Sequence, residues 1–360
     1  MKVFFYPHVY FRDRQLDTIR RWPADQVVNP ELAQNRRGNQ VSSSYANAAK
    51  LNASLKQKLP LLNVKLRPKD APGGAVVYVW GAVVATGRFI VDLDNPWSLV
   101  GYNLRAMPIY QFVIKQLLLS KRCLEIRCMS EACRLSLKVL FGDAIYNKAT
   151  VHYPCIPQVV TEVPARQCSE CRFLFVGTQF EIKGGVALLK AFRRVYAQAK
   201  NSRIDVITHL PAEYAHLAKD CPGIHIHEAK FTRCEIHEQF MRKADVLVLP
   251  TYVESFGMVA LEALAHGLAL IATDVYALRE LVEDGRNGRL LSPPLSIWDD
   301  CAPSALYFNI KNVKQYIRAA DTAEFENELL WSMKHLACDA DWRLRAKLTS
   351  IQLMSERFAC

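Results

Sequence analysis

Short runs of β-branched and aromatic residues recur along the chain, each bounded by Gly, Pro or a polar cluster, and longer stretches with helical spacing separate them. The runs are KVFFY (2–6), AVVYVWG (75–81), RFIVDLD (88–94) and CLEIRCMS (123–130), then RFLFVG (172–177), RIDVITH (203–209), IHIHE (224–228), DVLVLP (245–250) and LALIATD (268–274). Runs this uniformly apolar are buried on both faces, which predicts parallel sheets covered by helices such as GGVALLKAFRRVYAQAK. The pattern predicts an α/β protein of two doubly wound domains. Pro154, Pro157 and Pro164 interrupt any regular element between 153 and 172, so the linker is placed there. The first domain is expected to span 1–165 and the second 170–338, with a C-terminal helix over about 340–360 packing back on the first. The ligand is expected in a cleft between the domains, at the carboxyl ends of their strands.

At 360 residues and 51% apolar composition, the chain can fill two cores. The longest apolar stretch, AVVYVWGAVVA (75–85), falls short of the roughly 20 residues that span a bilayer. The run in MKVFFYPHVY is cut by Pro7 and His8 without a cleavage pattern, and the eleven cysteines are unevenly spaced. Free thiols and a cytoplasmic protein are the expectation. The net charge of +11 is carried entirely by the first half: residues 1–170 hold 23 Lys/Arg against 12 Asp/Glu, and residues 171–360 hold 23 of each. No acid lies between Glu31 and Asp70, a segment suited to an anionic substrate or an anionic lipid surface on the cytoplasmic side. No base-reading motif accompanies it, so nucleic acid is not an expected partner.

Candidate chemistry concentrates in the second half. DVLVLP ends a strand, GMVALEALAHG opens a helix closed by Gly267, and two carboxylates, Glu254 and Glu262, flank the turn between them. Eight residues of near-helical rise would separate them by about 12 Å. Between them the amides of Phe256, Gly257 and Met258 face outward with the positive end of the helix dipole, a place for phosphate or sugar oxygens. FLFVGTQFEIKGG (173–185) runs a strand into Gly177 and brings Lys183 to a glycine-rich helix start, an anion site without the spacing of a Walker loop.

FVGTQFEIKGG, HIHEAKFTRCEIHEQFMRKADVLVLP and TYVESFGMVALEALAHGLALIATDVYALRELVEDGRNGRLL, with CMSEACRLSLKVLFGDAIYNKATVHYPCIP more loosely, together resemble the retaining, nucleotide-sugar-dependent glycosyltransferases of family 4. The resemblance implies the GT-B fold, two Rossmann-like domains facing across a cleft, and a sugar moved from a nucleoside diphosphate to a glycan or lipid-linked acceptor in polysaccharide or envelope glycan assembly. It implies that Glu254 contacts donor-sugar hydroxyls, that Glu262 accepts from the ribose, and that Lys183 neutralises the leaving diphosphate beside Gly177, Thr178 and the amides of Phe256, Gly257 and Met258. The nucleotide sugar is then a co-substrate, and neither a metal nor a further cofactor is expected.

Two departures stand out. Thr178 occupies the place where most relatives carry an arginine that partners the lysine, and YPHVYFRDRQ replaces the glycine pair after the first strand, offering His8, Arg12 and Arg14 to an acceptor or its phosphate. Asp94, closing RFIVDLD, stands where relatives present a histidine and could orient or deprotonate a hydroxyl. These departures motivate an alternative, a catalytically silent protein that binds a nucleotide sugar or glycan as an assembly partner. The D-L-D of 92–94 and the histidines and cysteines of 221–237 are read as metal-free, and Cys168 and Cys171 as surface thiols.

Overall fold

In a computed structural model of the chain, residues 1–6, 12–34, 59–163, 170–299, 301–304 and 310–358 are described, and they divide into two compact units. The first comprises Met1–Cys155 with Asp300–Ala302, and the second Ile156–Asp299 with Pro303–Cys360.

The N-terminal unit is built on five parallel strands, β1 (Val3–Tyr6), β2 (Val76–Trp80), β3 (Phe89–Leu93), β4 (Cys123–Cys128) and β5 (Ala149–Val151). They lie in the order of the chain, β1-β2-β3-β4-β5, all pairs parallel. Helix α1 (Asp13–Arg21) turns Leu16 and Ile19 onto Phe5, Tyr78, Trp80 and Ile90 of one sheet face. Its aspartate in the first turn and arginines in the last match the helix dipole, and Pro23 follows its end. Helices α2 (Ala106–Leu119), α3 (Glu131–Phe141) and α4 (Asp143–Lys148) connect the later strands, and Ser130 caps α3 by accepting the amide of Cys133. The register aligns Trp80 with Asp92 and Asp92 with Arg127, so two opposite charges stand side by side on adjacent strands.

The C-terminal unit holds β6 (Cys171–Gln179), β7 (Ser202–His209), β8 (Ile224–Glu228), β9 (Val246–Leu249), β10 (Ala269–Thr273) and β11 (Gly288–Leu291), parallel and ordered β8-β7-β6-β9-β10-β11. The chain reverses its direction across the sheet between β6 and β9. Loops leaving the carboxyl ends of these neighbours diverge, and the crevice between them is where doubly wound sheets bind ligands. Helix α5 (Gly185–Gln198) follows β6 and α6 (Met258–Ala265) follows β9, and α7 (Ile310–Ala319), α8 (Ala323–Cys338) and α9 (Ala340–Leu353) complete the unit.

The structure corrects several expectations. The tail belongs to the C-terminal unit rather than the N-terminal one: Lys347 of α9 pairs at 2.9 Å with Asp245, both side chains at most 10% exposed, and Ile351 lies against Gly267. An amphipathic helix states that it has a partner without naming it. The seam falls at 155/156, between Pro154 and Pro157 and inside the stretch where the linker was expected. Cys171 is a buried thiol, not a surface one, pushed up to about 12 by burial, whereas Cys168 lies outside the described residues. Cys155 is joined in a disulfide, against the expectation of free thiols, because spacing along the chain does not report which cysteines meet. Among the described residues no helix is long and apolar enough to cross a membrane.

Candidate functional site

The loops at the strand-order reversal bring Lys183 and Glu254 together. Lys183 Nζ donates to Glu254 Oε2 at 2.8 Å and to the carbonyl of Val253 at 2.9 Å. Three glycines permit the approach. Gly184, at φ +76°, stands so close to Pro250 that an added Cβ would lie 1.9 Å from its carbonyl oxygen. An added Cβ on Gly185 would meet the Phe180 ring at 2.2 Å, and one on Gly177 would meet the Lys183 side chain at 3.0 Å. The β6 loop is anchored from beneath by Glu181, 1% exposed, which pairs with Lys314 at 3.1 Å and with Arg318, and accepts the Tyr214 hydroxyl at 2.9 Å.

Burial opposes ionisation of Glu254, yet the adjacent Lys183 ammonium and the amides of Ser255 and Phe256 outweigh it and hold the carboxyl below its ordinary range. Glu254 is therefore ionised near neutral pH, and both side chains are about a fifth exposed. The Phe256 amide, expected to face outward, is turned to the Glu254 carboxylate, and the Phe256 ring is buried. Among the described residues no acceptor meets the amides of Gly257 and Met258, which remain as the donors at the start of α6. Gly257 adopts φ +91°, and an added Cβ would lie 2.4 Å from Leu278, so the glycine is required by packing as well as by any ligand.

Glu262, on α6, faces a different set. Arg233 Nε lies 2.7 Å from Oε1 and His237 Nε2 lies 3.4 Å from Oε2, all three side chains at most 20% exposed. The sequence reading missed both partners, although T-R-C-E is a capping box: Thr232 and Glu235 bond reciprocally and start a helical turn that sets Arg233 and His237 four residues apart on one side. His266 Nδ1 donates to the Glu262 carbonyl at 2.7 Å. Burial, reinforced by His237 and opposed by that hydrogen bond, pushes His266 down to about 4. A histidine depressed in the folded chain stabilises it above the ordinary value of 6.5 and loses that contribution as pH falls toward 4. Urea denaturation should therefore show the native chain losing about 2 kcal/mol more than His266→Gln between pH 7.5 and pH 5. Parallel pH profiles for the two would remove His266 from the acid response.

Residues 170–321 match the family model described as Glycosyl transferases group 1. This match falls almost wholly within the C-terminal unit. A D-inositol 3-phosphate glycosyltransferase of Paenarthrobacter aurescens strain TC1 is 42% identical over 84 residues, 23% of this chain and 20% of that relative. The chain thus spans only a fifth of the length of this curated relative. HepE of Anabaena, solved with UDP and glucose, is similar over 100% of this chain and 96% of its own at a TM-score of 0.59 and 13% identity. WaaG, a glycosyltransferase involved in lipopolysaccharide biosynthesis, covers 99% and 96% at a TM-score of 0.56 and 13% identity. The fold is GT-B.

In the C-terminal unit, Thr178 stands exposed at the end of β6, one residue beyond Gly177, whose carbonyl accepts the Thr208 hydroxyl at 2.6 Å. In the N-terminal unit, Asp94 accepts the Tyr102 hydroxyl at 2.8 Å and the Asn95 amide at 2.9 Å. Arg14 pairs with Asp92, not Asp94, at 2.8 Å, and Asp92 also accepts the Tyr78 hydroxyl at 2.6 Å. Asp92 carried a signal that went unused, a carboxylate inside an apolar strand. Arg12 is exposed at the start of α1, and His8 lies outside the described residues, as does the basic segment from 35 to 58. Among the described residues no three His, Cys, Asp or Glu side chains gather as metal ligands, and His227 is the partner of Asp205 at 2.8 Å.

Proposed function

We propose that the chain is a retaining, metal-independent glycosyltransferase that moves a hexose from a nucleoside diphosphate sugar to a glycan or lipid-linked acceptor. The Lys183–Glu254 ion pair, set at the strand-order reversal of the unit that the group 1 glycosyltransferase model matches, carries this reading. The acceptor hydroxyl oxygen forms the new bond to the anomeric carbon, the bond from that carbon to the diphosphate oxygen breaks, and the acceptor proton leaves with the diphosphate. Negative charge builds on the departing phosphate, where Lys183 and the amides of Gly257 and Met258 stabilise it without reorganisation. Glu254 holds donor-sugar hydroxyls, and Glu262 accepts from the ribose once Arg233 yields it. Gly177 and Thr178 line the diphosphate, while Asp94 orients the acceptor hydroxyl beside His8, Arg12 and Arg14. The relatedness in fold to a lipopolysaccharide enzyme and the basic first half favour envelope or polysaccharide assembly at the cytoplasmic surface of an anionic membrane. The uncharged Thr178 favours one rival, a silent binder of nucleotide sugar or glycan.

A thermal-shift panel of nucleoside diphosphate sugars, run with product analysis, tests both. Donor at about 100-fold its Kd adds about 2.7 kcal/mol of stability to the native chain. Glu262→Ala is expected to lose this stabilisation. Stabilisation without turnover in the presence of acceptors would establish the silent binder, and no stabilisation by any donor would sink both readings.

A further inference from the structure

The N-terminal unit contains a cavity of about 470 Å³ lined by residues of α1, the sheet face beside it and the segment after β5. Its size is that of a small-molecule site and far exceeds the space one inorganic ion would fill. Two guanidinium groups project into it from different elements, Arg14 of α1 and Arg127 of β4, with side chains only 14% and 21% exposed. Arg14 uses one N–H on Asp92, and Arg127 places Nε 3.0 Å from Glu125. Among the described residues no acceptor meets the remaining N–H groups of Arg14 or the Nη groups of Arg127. Each guanidinium has five donors, and donors removed from bulk water are costly until an acceptor meets them. Arg21 also stands at the cavity wall.

Aromatic rings line the cavity beside the Arg127 guanidinium. Arg127 lies over the Trp22 ring at 4.6 Å and near the Tyr78 ring at 5.8 Å, with Pro23 beside Trp22. The hydroxyl of Thr18 and the amide of Gln26 add polar edges. Guanidinium donors from two elements suit a tetrahedral phosphate, which accepts along several directions, better than a planar carboxylate, which pairs with a single fork. Flat apolar rings beside hydroxyl-binding groups suit the C–H face of a pyranose.

We propose that this pocket binds a sugar phosphate group, with the phosphate on Arg14 and Arg127 and the sugar beside Trp22 and Pro23, and that this group is the end of the glycan or lipid-linked acceptor of the transfer described above. The identification as acceptor rests on the transferase reading, whereas the binding does not. Isothermal titration of the full chain with hexose 6-phosphates and 1-phosphates, glucose, inorganic phosphate and, separately, UDP tests it. At least one hexose phosphate should bind one per chain, at least tenfold tighter than glucose or phosphate alone. Arg127→Gln should weaken it tenfold or more while leaving UDP affinity unchanged, which also shows that the variant is folded. Arg127→Lys, which keeps the charge and loses the fork, should fall between and serves if the glutamine variant does not fold. Arg14 is the poorer choice, because its removal leaves Asp92 buried without its cation. Binding of UDP with no hexose phosphate bound, equal affinity for phosphate alone, or insensitivity to Arg127→Gln would overturn the pocket. Hexose phosphate binding without nucleotide binding would overturn the donor reading instead.

Discussion

Lys183→Met is expected to lower kcat by on the order of 100- to 1000-fold, the loss seen when one preorganised donor to a developing oxyanion is removed. The same change strands Glu254, whose low ionisation range depends on Lys183, in a site about a fifth exposed. Removing one member of such a pair costs more than the pair contributes, up to about 3–5 kcal/mol when burial is complete and less here. The sign follows from the direction of the shift. In the native chain the depressed carboxyl contributes stability above its ordinary range and loses it as pH falls through the folded value. Without Lys183, burial dominates and drives the carboxyl upward, so the variant should gain stability on acidification where the native chain loses it. The double variant Lys183→Met/Glu254→Gln separates the two effects, since it should recover most of the melting temperature and none of the rate. Steady-state kinetics and thermal melts at two pH values check this; a variant that keeps its rate would remove Lys183 from the chemistry.

Gly184→Ala is expected to be the most disruptive single substitution near the site, at 4 kcal/mol or more on the scale of exceptional point changes. The added Cβ would lie 1.9 Å from the Pro250 carbonyl oxygen, a backbone atom that cannot swing aside, at a residue with φ +76°. Relief requires the β6 loop to move away from β9, which also separates Lys183 from Glu254. Gly285→Ala is the control, with φ +74° but no atom within 4 Å of the new Cβ. It should carry only the left-handed backbone penalty of about 1–2 kcal/mol. Chemical denaturation of both variants checks the contrast, and equal losses would show that backbone conformation, not the close approach to Pro250, sets the cost.

Local patterning reached far into this molecule. The nine runs named from their composition are strands, because a strand covered on both faces must be apolar throughout and short. Two strands of the main sheets escaped, Ala149–Val151 and Gly288–Leu291, one only three residues long and the other polar at Arg289, as did four two-residue strands outside those sheets. Lys183, Glu254 and the turn at Gly257 were legible because glycines, a helix start and charged residues cluster within a few positions of each other. Gly267 was legible for the same reason and sits at φ +66°.

What lay beyond reach were pairs formed across long separations. Arg14 and Asp92 are 78 positions apart, and Lys347 and Asp245 are 102 apart. Arg127 meets Trp22 only because β4 stands near α1 across the sheet face. Periodicity encodes which side of an element is buried, a property of neighbours in the chain, and so the strands, helices and the turn at Gly257 could be read directly. Strand order and register are set by which buried faces fit together. That packing alone chose Asp92 over Asp94 as the partner of Arg14, assigned the last helix to the C-terminal unit, and enclosed two arginines around a cavity.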